Sequence, residues 1–299
     1  MINKSILMCS VVLVLLLVGT SHADLVSGLA LYSSMDTATA PTSTEDGVVP
    51  DAIASLDGAL KGEASNVIYD AARGDNVLDL PGRTSAGTEY VDYGDILDMS
   101  TNSFSTSIWF KVESAIEGDG EIEMLASDSD GSIGWEMYCY APNDKAARAN
   151  GMVSVYVSDG SGNDVKLFLN TSVGGVNLRD WGWHHLAMTF DTTDDTVRAY
   201  FDGVGSGNTG TDNGWQIANG YYNQTGGNSL SNTSDVQLGY TAALDFDGQL
   251  DDFAVWNRVL SGSEISDIYG GATIVPEPSA LICMLGLLVC AAFGRRTRR

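Results

Sequence analysis

Between residues 24 and 275 the chain alternates apolar and polar positions in short runs, separated by clusters of Gly, Asn, Asp and Ser. Alternation with a period of two marks strands with one buried face, and such clusters mark the turns between them. Ser103 to Glu113 sets Phe104, Thr106, Ile108 and Phe110 on one face of a strand. Met152 to Val157, His184 to Phe190, Thr196 to Asp202, Asp235 to Tyr240 and Gln249 to Asn257 complete the clearest set. No stretch carries the long helical periodicity of an α/β crossover. The pattern therefore predicts an all-β protein, an antiparallel sandwich in a single domain over residues 24–275.

Three local departures refine this outline. Strict alternation from Leu250 would put Phe253 and Val255 on the opposite face, so a parity slip at Asp251-Asp252 is expected. A β-bulge there returns the large apolar side chains to one side and aims a carboxylate aside. Ser261-Gly262-Ser263-Glu264 has the spacing of a capping box. It predicts a short helix with Ile265, Ile268 and Tyr269 on one face, covering the sandwich edge. The stretch Gly203 to Ser234 reads as one long loop rich in Gly, Asn, Ser and Thr, and Thr37 to Gly62 as a second loose region. A loop of the first kind inside a compact domain is usually functional or mobile.

Both ends carry apolar runs of a different kind. Lys4, the run Ile6 to Val18 and the small-residue exit Ser21-His22-Ala23 make residues 1–23 a secretory signal peptide, cut after Ala23. The run falls short of the roughly 20 residues that span a bilayer. At the other end Pro276-Glu277-Pro278 precedes an apolar segment, 280–293, and then Arg295, Arg296, Arg298 and Arg299. An apolar stretch followed by an arginine cluster stops translocation with the basic end in the cytoplasm. In that order the three features of residues 276–299 resemble the PEP-CTERM sorting signal. The resemblance implies an exosortase, a membrane enzyme, as partner, and a cell-surface or matrix location reached through the inner membrane. A plain C-terminal anchor is the competing reading, and both require export.

Composition narrows the partners. The chain has 39 acidic and 15 basic residues, a formal charge of −24. The two ends hold only one of those acids and five of the cations, so the body is more negative still. Such a body repels nucleic acid and anionic lipid and favours divalent cations. Of the four cysteines, Cys9, Cys283 and Cys290 lie in the apolar ends. Cys139 is alone in the body and reads as a small buried apolar residue.

Four segments in order resemble the laminin-G-like, concanavalin A-like jelly roll. Leu29 to Asp36 is similar to its opening strand, and Asn76 to Gly82 with Glu89 to Lys111 to a following hairpin. Trp183 to Asp191 with Val197 to Gly203 resembles the central hairpin. Leu238 to Tyr240, Phe246 to Asn257 and Arg258 to Ser261 resemble the closing strand and its exit. The resemblance implies a structural calcium between opening and closing strands, with Asp36 and Asp251 at the matching positions; carboxylates and carbonyls suit a hard cation. The competing reading makes Asp36 a turn cap and Asp251 the bulge residue.

Asp128-Ser129-Asp130-Gly131 is similar to the start of an EF-hand loop, but Cys139 stands where Glu is needed, so it is a turn. His184 and His185 are adjacent in a strand, point to opposite faces and cannot share a zinc ion. Glu121-Ile122-Glu123 is similar to part of the paired-carboxylate motif of glycoside hydrolases that share this fold. The acid/base partner is missing beyond it, which makes hydrolysis the weaker alternative and a non-enzymatic protein the expectation. Carbohydrate binding needs rings to stack on sugar faces and amides for hydroxyls. Trp215, Tyr221, Tyr222, Asn213 and Asn223 supply both in the long loop, and the competing reading is that Trp215 pins the loop. The expected function is a glycan-binding or adhesion module, and the alternative is a structural surface protein without a glycan ligand.

Overall fold

A computed structural model describes residues 25–272 and 274, apart from 43–44, 63–64, 82–88, 98, 100–101, 114–121, 141, 143–148, 163, 171–175, 208–210, 220–229 and 241–245. Residues 1–24 and 275–299, where a leader and a sorting tail are expected, lie outside the described residues, as do Tyr221, Tyr222, Asn223 and Glu121. No helix among the described residues is long and apolar enough to cross a membrane.

In chain order the first strands are β1 (Leu29–Ser33), β2 (Gly47–Val49), β3 (Gly58–Lys61), β4 (Asn66–Asp70), β5 (Asp75–Pro81) and β6 (Tyr90–Asp92). The middle strands are β7 (Phe104–Val112), β8 (Ile122–Ser129), β9 (Ile133–Tyr140), β10 (Met152–Asp159) and β11 (Asp164–Asn170). Then come β12 (His184–Asp191), β13 (Thr196–Phe201), β14 (Val204–Gly205), β15 (Gln216–Asn219), β16 (Gln237–Leu238), β17 (Asp247–Trp256) and helix α1 (Gly262–Tyr269). One sheet runs β14-β13-β12-β7-β17-β5-β4 with β1 also on β17, and the other runs β15-β11-β10-β9-β8-β16-β6-β3-β2. Every pairing is antiparallel, for instance β12 on β7 with Leu186 opposite Ile108. The expected all-β sandwich is the fold.

The core lies between the sheets because alternation aims one face of each strand inward. Phe104, Ile108 and Phe110 of β7 meet Trp135, Val155 and Leu167 of the other sheet in one cluster of fully buried side chains. On β17 Leu250, Phe253 and Val255 all join that cluster. They can do so because the register slips between Asp251 and Ala254, with Asp252 in the left-handed region at φ 47°. This is the expected bulge.

Three expectations change. Helix α1 has its capping box, with Glu264 N donating to Ser261 Oγ at 3.2 Å and Ser261 N to Glu264 Oε2 at 2.8 Å. It covers the outer face of the first sheet rather than an edge: Ile265 and Ile268 pack with Ala187, Tyr200, Ala254 and Trp256. The bulge is what turns Ala254 and Trp256 outward to receive it. The Gly203 to Ser234 stretch is not one open loop, since it contains β14 and β15, and β15 extends the second sheet by pairing with β11. The loose Thr37 to Gly62 region contains β2 and β3. Between them Asp51 accepts from the backbone N–H groups of Tyr32, Ile53, Ala54 and Leu56 at 2.6–3.2 Å, replacing strand pairing with one carboxylate.

Candidate functional site

The bulge gathers the densest buried charge among the described ionisable groups. Arg73 sits in the turn of the β4–β5 hairpin, where Asp70 Oδ1 accepts from Ala72 N at 2.7 Å and Arg73 N at 3.2 Å. Its Nε donates to Asp251 Oδ2 at 2.6 Å and its Nη2 to Asp252 Oδ2. Asp252 N donates to Asp251 Oδ1 at 2.9 Å, and the Tyr32 hydroxyl of β1 donates to Asp252 Oδ1 at 2.6 Å. The guanidinium lies 4.4 Å from the Trp109 ring centroid and 5.5 Å from that of Trp183. Tyr269 stacks on Trp109 at 5.7 Å. A cavity of about 290 Å³ opens beside this cluster, lined by Tyr32, Asp36, Arg73, Asp75, Trp109 and Asp252 and closed by α1 and the chain beyond it.

Electrostatics follow from the crowding. Burial and the adjacent Asp252 charge push the Asp251 carboxyl up to about 8, while Arg73 pulls it down. Burial raises Asp252 as well, opposed by Tyr32 and Arg73 and reinforced by Asp36. Burial and Asp36 raise Asp75. Burial and Asp252 hold the Tyr32 phenol far above its usual range, so it remains a donor. His185 lies against Trp109, and burial, with Arg73 nearby, drops it to about 3, keeping it neutral.

The residues expected to hold calcium are placed in this cluster, but their geometry does not suit the ion. Asp251 is salt-bridged to Arg73 rather than open. Asp36 lines the cavity, and its main-chain carbonyl accepts from Asn76 Nδ2 at 2.8 Å. Among the described residues no three His, Cys, Asp or Glu side chains are grouped to hold a metal. A hard cation needs about six to eight oxygens, and here both Asp251 carboxylate oxygens and the Asp36 carbonyl already accept hydrogen bonds.

The aromatic site expected in the long loop needs correction at its centre. Trp215 is 2% exposed and belongs to the core, so its ring has no face for a sugar. It precedes β15, and pairing of that strand on β11 carries it inward. Asn213 is exposed, in the left-handed region at φ 56°, and its amide donates to Gly205 O at 2.8 Å. It shapes the turn. Asp130 accepts from Ser132 N and Ile133 N, both at 2.8 Å, and turns β8 into β9. His184 and His185 face opposite ways: His184 lies beside Phe110 and Phe201, His185 beside Trp109. Glu123 is fully buried beside Cys139, whose Sγ lies 3.7 Å from Oε2; burial and that carboxylate hold the thiol well above its usual range.

A second concavity, about 740 Å³, lies at one end of the sandwich. There the segment entering β7, the β12–β13 turn and the exit of β17 converge. Asn102, Ser103, Asp191, Thr193, Asn257 and Arg258 supply polar groups, with Ile96, Leu97, Met99 and Val259 between them. Arg258 is fixed by Ser27 O at 2.7 Å and Glu264 Oε1 at 2.6 Å. Asn102 and Asn257 are exposed. Sequence patterning does not reveal this site, because its residues come from three loops far apart in the chain. Nor does it reveal Arg73, a turn residue 178 positions from its partner Asp251.

Residues 85–266 match the Laminin_G_3 model, described as the concanavalin A-like lectin/glucanases superfamily. The chain belongs to this family. Neuronal pentraxin-2 of Cavia porcellus is 31% identical over 110 residues, 36% of this chain and 25% of that protein. The Homo sapiens protein is 30% identical over 118 residues, 38% of this chain and 26% of that protein. The aligned part thus spans about a quarter of the pentraxins. Among solved structures, the binding domain of Paraclostridial Mosquitocidal Protein 1 superposes with a TM-score of 0.56 at 15% identity, over 83% of this chain and 53% of that one. The binding domain of botulinum neurotoxin serotype D gives 0.54 at 14%, over 84% and 53%. The superposition covers about half of each toxin chain, and at these identities it speaks for the fold alone. The family match starts after β1, yet β1 pairs with β17, so the concanavalin A-like sandwich in this chain includes the earlier segment.

Proposed function

We propose that this chain is an exported, non-enzymatic glycan-binding or adhesion module that works at the cell surface or in the surrounding matrix. Its leader directs export, and Pro276, Glu277 and Pro278 with the segment behind them engage an exosortase-type enzyme at the membrane. The observation that carries the binding reading is the concavity at the sandwich end, in a chain whose family is described by its lectins and glucanases. Two exposed carboxamides, a carboxylate and the exposed Thr193 hydroxyl match sugar hydroxyls, and the half-buried Ile96, Leu97 and Val259 offer surface to C–H groups. The hydrolytic alternative is weaker, since Glu123 is shut in the sheet interior away from solvent.

A glycan array probed with the full-length protein tests this reading, alongside an Asn102→Ala/Asn257→Ala double variant. Binding to one glycan class, weakened at least about tenfold in the variant, is expected; each lost hydrogen bond is worth about 1 kcal/mol. The burial of Trp215 favours the competing reading of a structural surface component, because it removes the ring on which a sugar would have stacked. An array with no binding above background decides for that component.

A further inference from the structure

We propose that the Arg73 guanidinium is the built-in cation of this domain, standing between opening and closing strands where the fold leads one to expect calcium. The folded state then needs no divalent metal. The argument starts from the oxygens. Asp251 and Asp252 present four, and each already accepts a hydrogen bond: from Asp252 N, Arg73 Nε, the Tyr32 hydroxyl and Arg73 Nη2. Two of the four donors belong to one planar fork, whose geometry matches a pair of carboxylate oxygens in a way a point charge does not. Burial and the nearby Asp36 charge raise Asp75, so the remaining carboxyls already crowd one another.

The guanidinium is held in place as a bound ion would be. Asp70 fixes its turn from within, and Lys111 Nζ anchors Asp70 Oδ2 at 3.1 Å. Trp109 and Trp183 flank the charge, and the Arg73 side chain is only 16% exposed. The cation also has a structural task. Asp252 is a non-glycine residue at positive φ, which persists only where surrounding contacts over-determine it. Arg73 and Tyr32 grip its carboxylate from two other segments of the chain. The bulge that lets β17 serve both faces of its sheet is thereby pinned by a side chain instead of a metal.

Thermal unfolding of the full-length protein tests this, read in chelator, in calcium and in magnesium at matched ionic strength. The wild type is expected to unfold at the same midpoint in calcium as in magnesium. Arg73→Ala is expected to fall by about 10 °C in chelator, since losing one partner of a buried pair strands the other. Calcium, more than magnesium, should then recover part of the loss, because the two freed carboxylates acquire the cation they lack. A calcium-specific rise in the wild type overturns the proposal. So does an Arg73→Ala midpoint equal to the wild type, or one that calcium leaves unmoved. If Arg73→Ala shows no cooperative transition, Arg73→Lys is read instead. A lowered midpoint that calcium raises supports the proposal, and a wild-type midpoint or no response to calcium overturns it.

Discussion

At the scale of single residues, the adjacent histidines show how far a sequence can assign a role. Their position in a strand predicts opposite faces, and the structure places them so. The sequence does not reveal that His184 is clasped by two aspartates: Nδ1 lies 2.9 Å from Asp202 Oδ2 and Nε2 lies 3.2 Å from Asp180 Oδ1. Burial alone would lower its affinity for a proton. Asp202 and Asp180 outweigh that and raise it above the ordinary histidine value. With the folded-state value above the unfolded one, the stabilisation is fully present below about pH 6.5 and is lost as pH rises through the folded value. Asp202→Asn removes the charge yet keeps an oxygen for His185 N, which donates to Asp202 Oδ1 at 2.9 Å. That variant should cost about 1.5–3 kcal/mol at pH 5.5, as expected for a hydrogen bond to a charged group, and less above pH 8. Denaturant titrations of both proteins across this range check it, and a cost that grows with pH would refute the assignment.

At the scale of elements, what the sequence discloses depends on how local the cause is. The capping box of α1 lies within four consecutive residues, and the parity slip of β17 within six, so both are legible. By contrast β15 is four residues long among Gly and Asn, and only pairing with β11 makes it a strand. The role assigned to Trp215 fails for the same reason: its burial is decided by a partner strand. Asp235 to Tyr240 contracts to the two residues of β16, sandwiched between β8 and β6. A helix of eight residues has little stability of its own, so α1 depends on its cap and on the apolar face it covers. Ser261→Ala should therefore cost about 1 kcal/mol, or roughly 2–4 °C in the unfolding midpoint. Hydrogen exchange should quicken first at the amides of α1. An unchanged midpoint, or exchange spread evenly over both sheets, would show that the cap is incidental.

At the scale of the whole molecule, charge is the dominant unbalanced term. Against 39 acidic residues stand 15 basic ones, and several of those cations are already committed: Lys61 to Asp46, Lys111 to Asp70, Arg258 to Glu264, and Arg73 to two aspartates at once. The surplus carboxylates act on one another. Burial together with Asp247 raises Asp79, burial with Asp79 raises Glu113, and burial with Asp92 raises Asp235, so each is harder to ionise in the folded chain. Self-repulsion of this kind opposes the compact state and is weakened when ions shorten its range, to about 10 Å at 0.1 M salt. Moving from about 0.01 M to 0.15 M sodium chloride at neutral pH should raise the unfolding midpoint by a few degrees, roughly 3–6 °C, whereas a protein held mainly by surface ion pairs would lose stability. The Arg73 cluster is shielded from bulk ions by Trp109, Trp183 and Tyr32, so its contribution should not fade over the same interval. Arg73→Ala and the wild type should gain equally from salt, keeping the gap between them constant. A midpoint that falls with salt would mean that attraction between surface charges, not their repulsion, governs the stability of this sandwich.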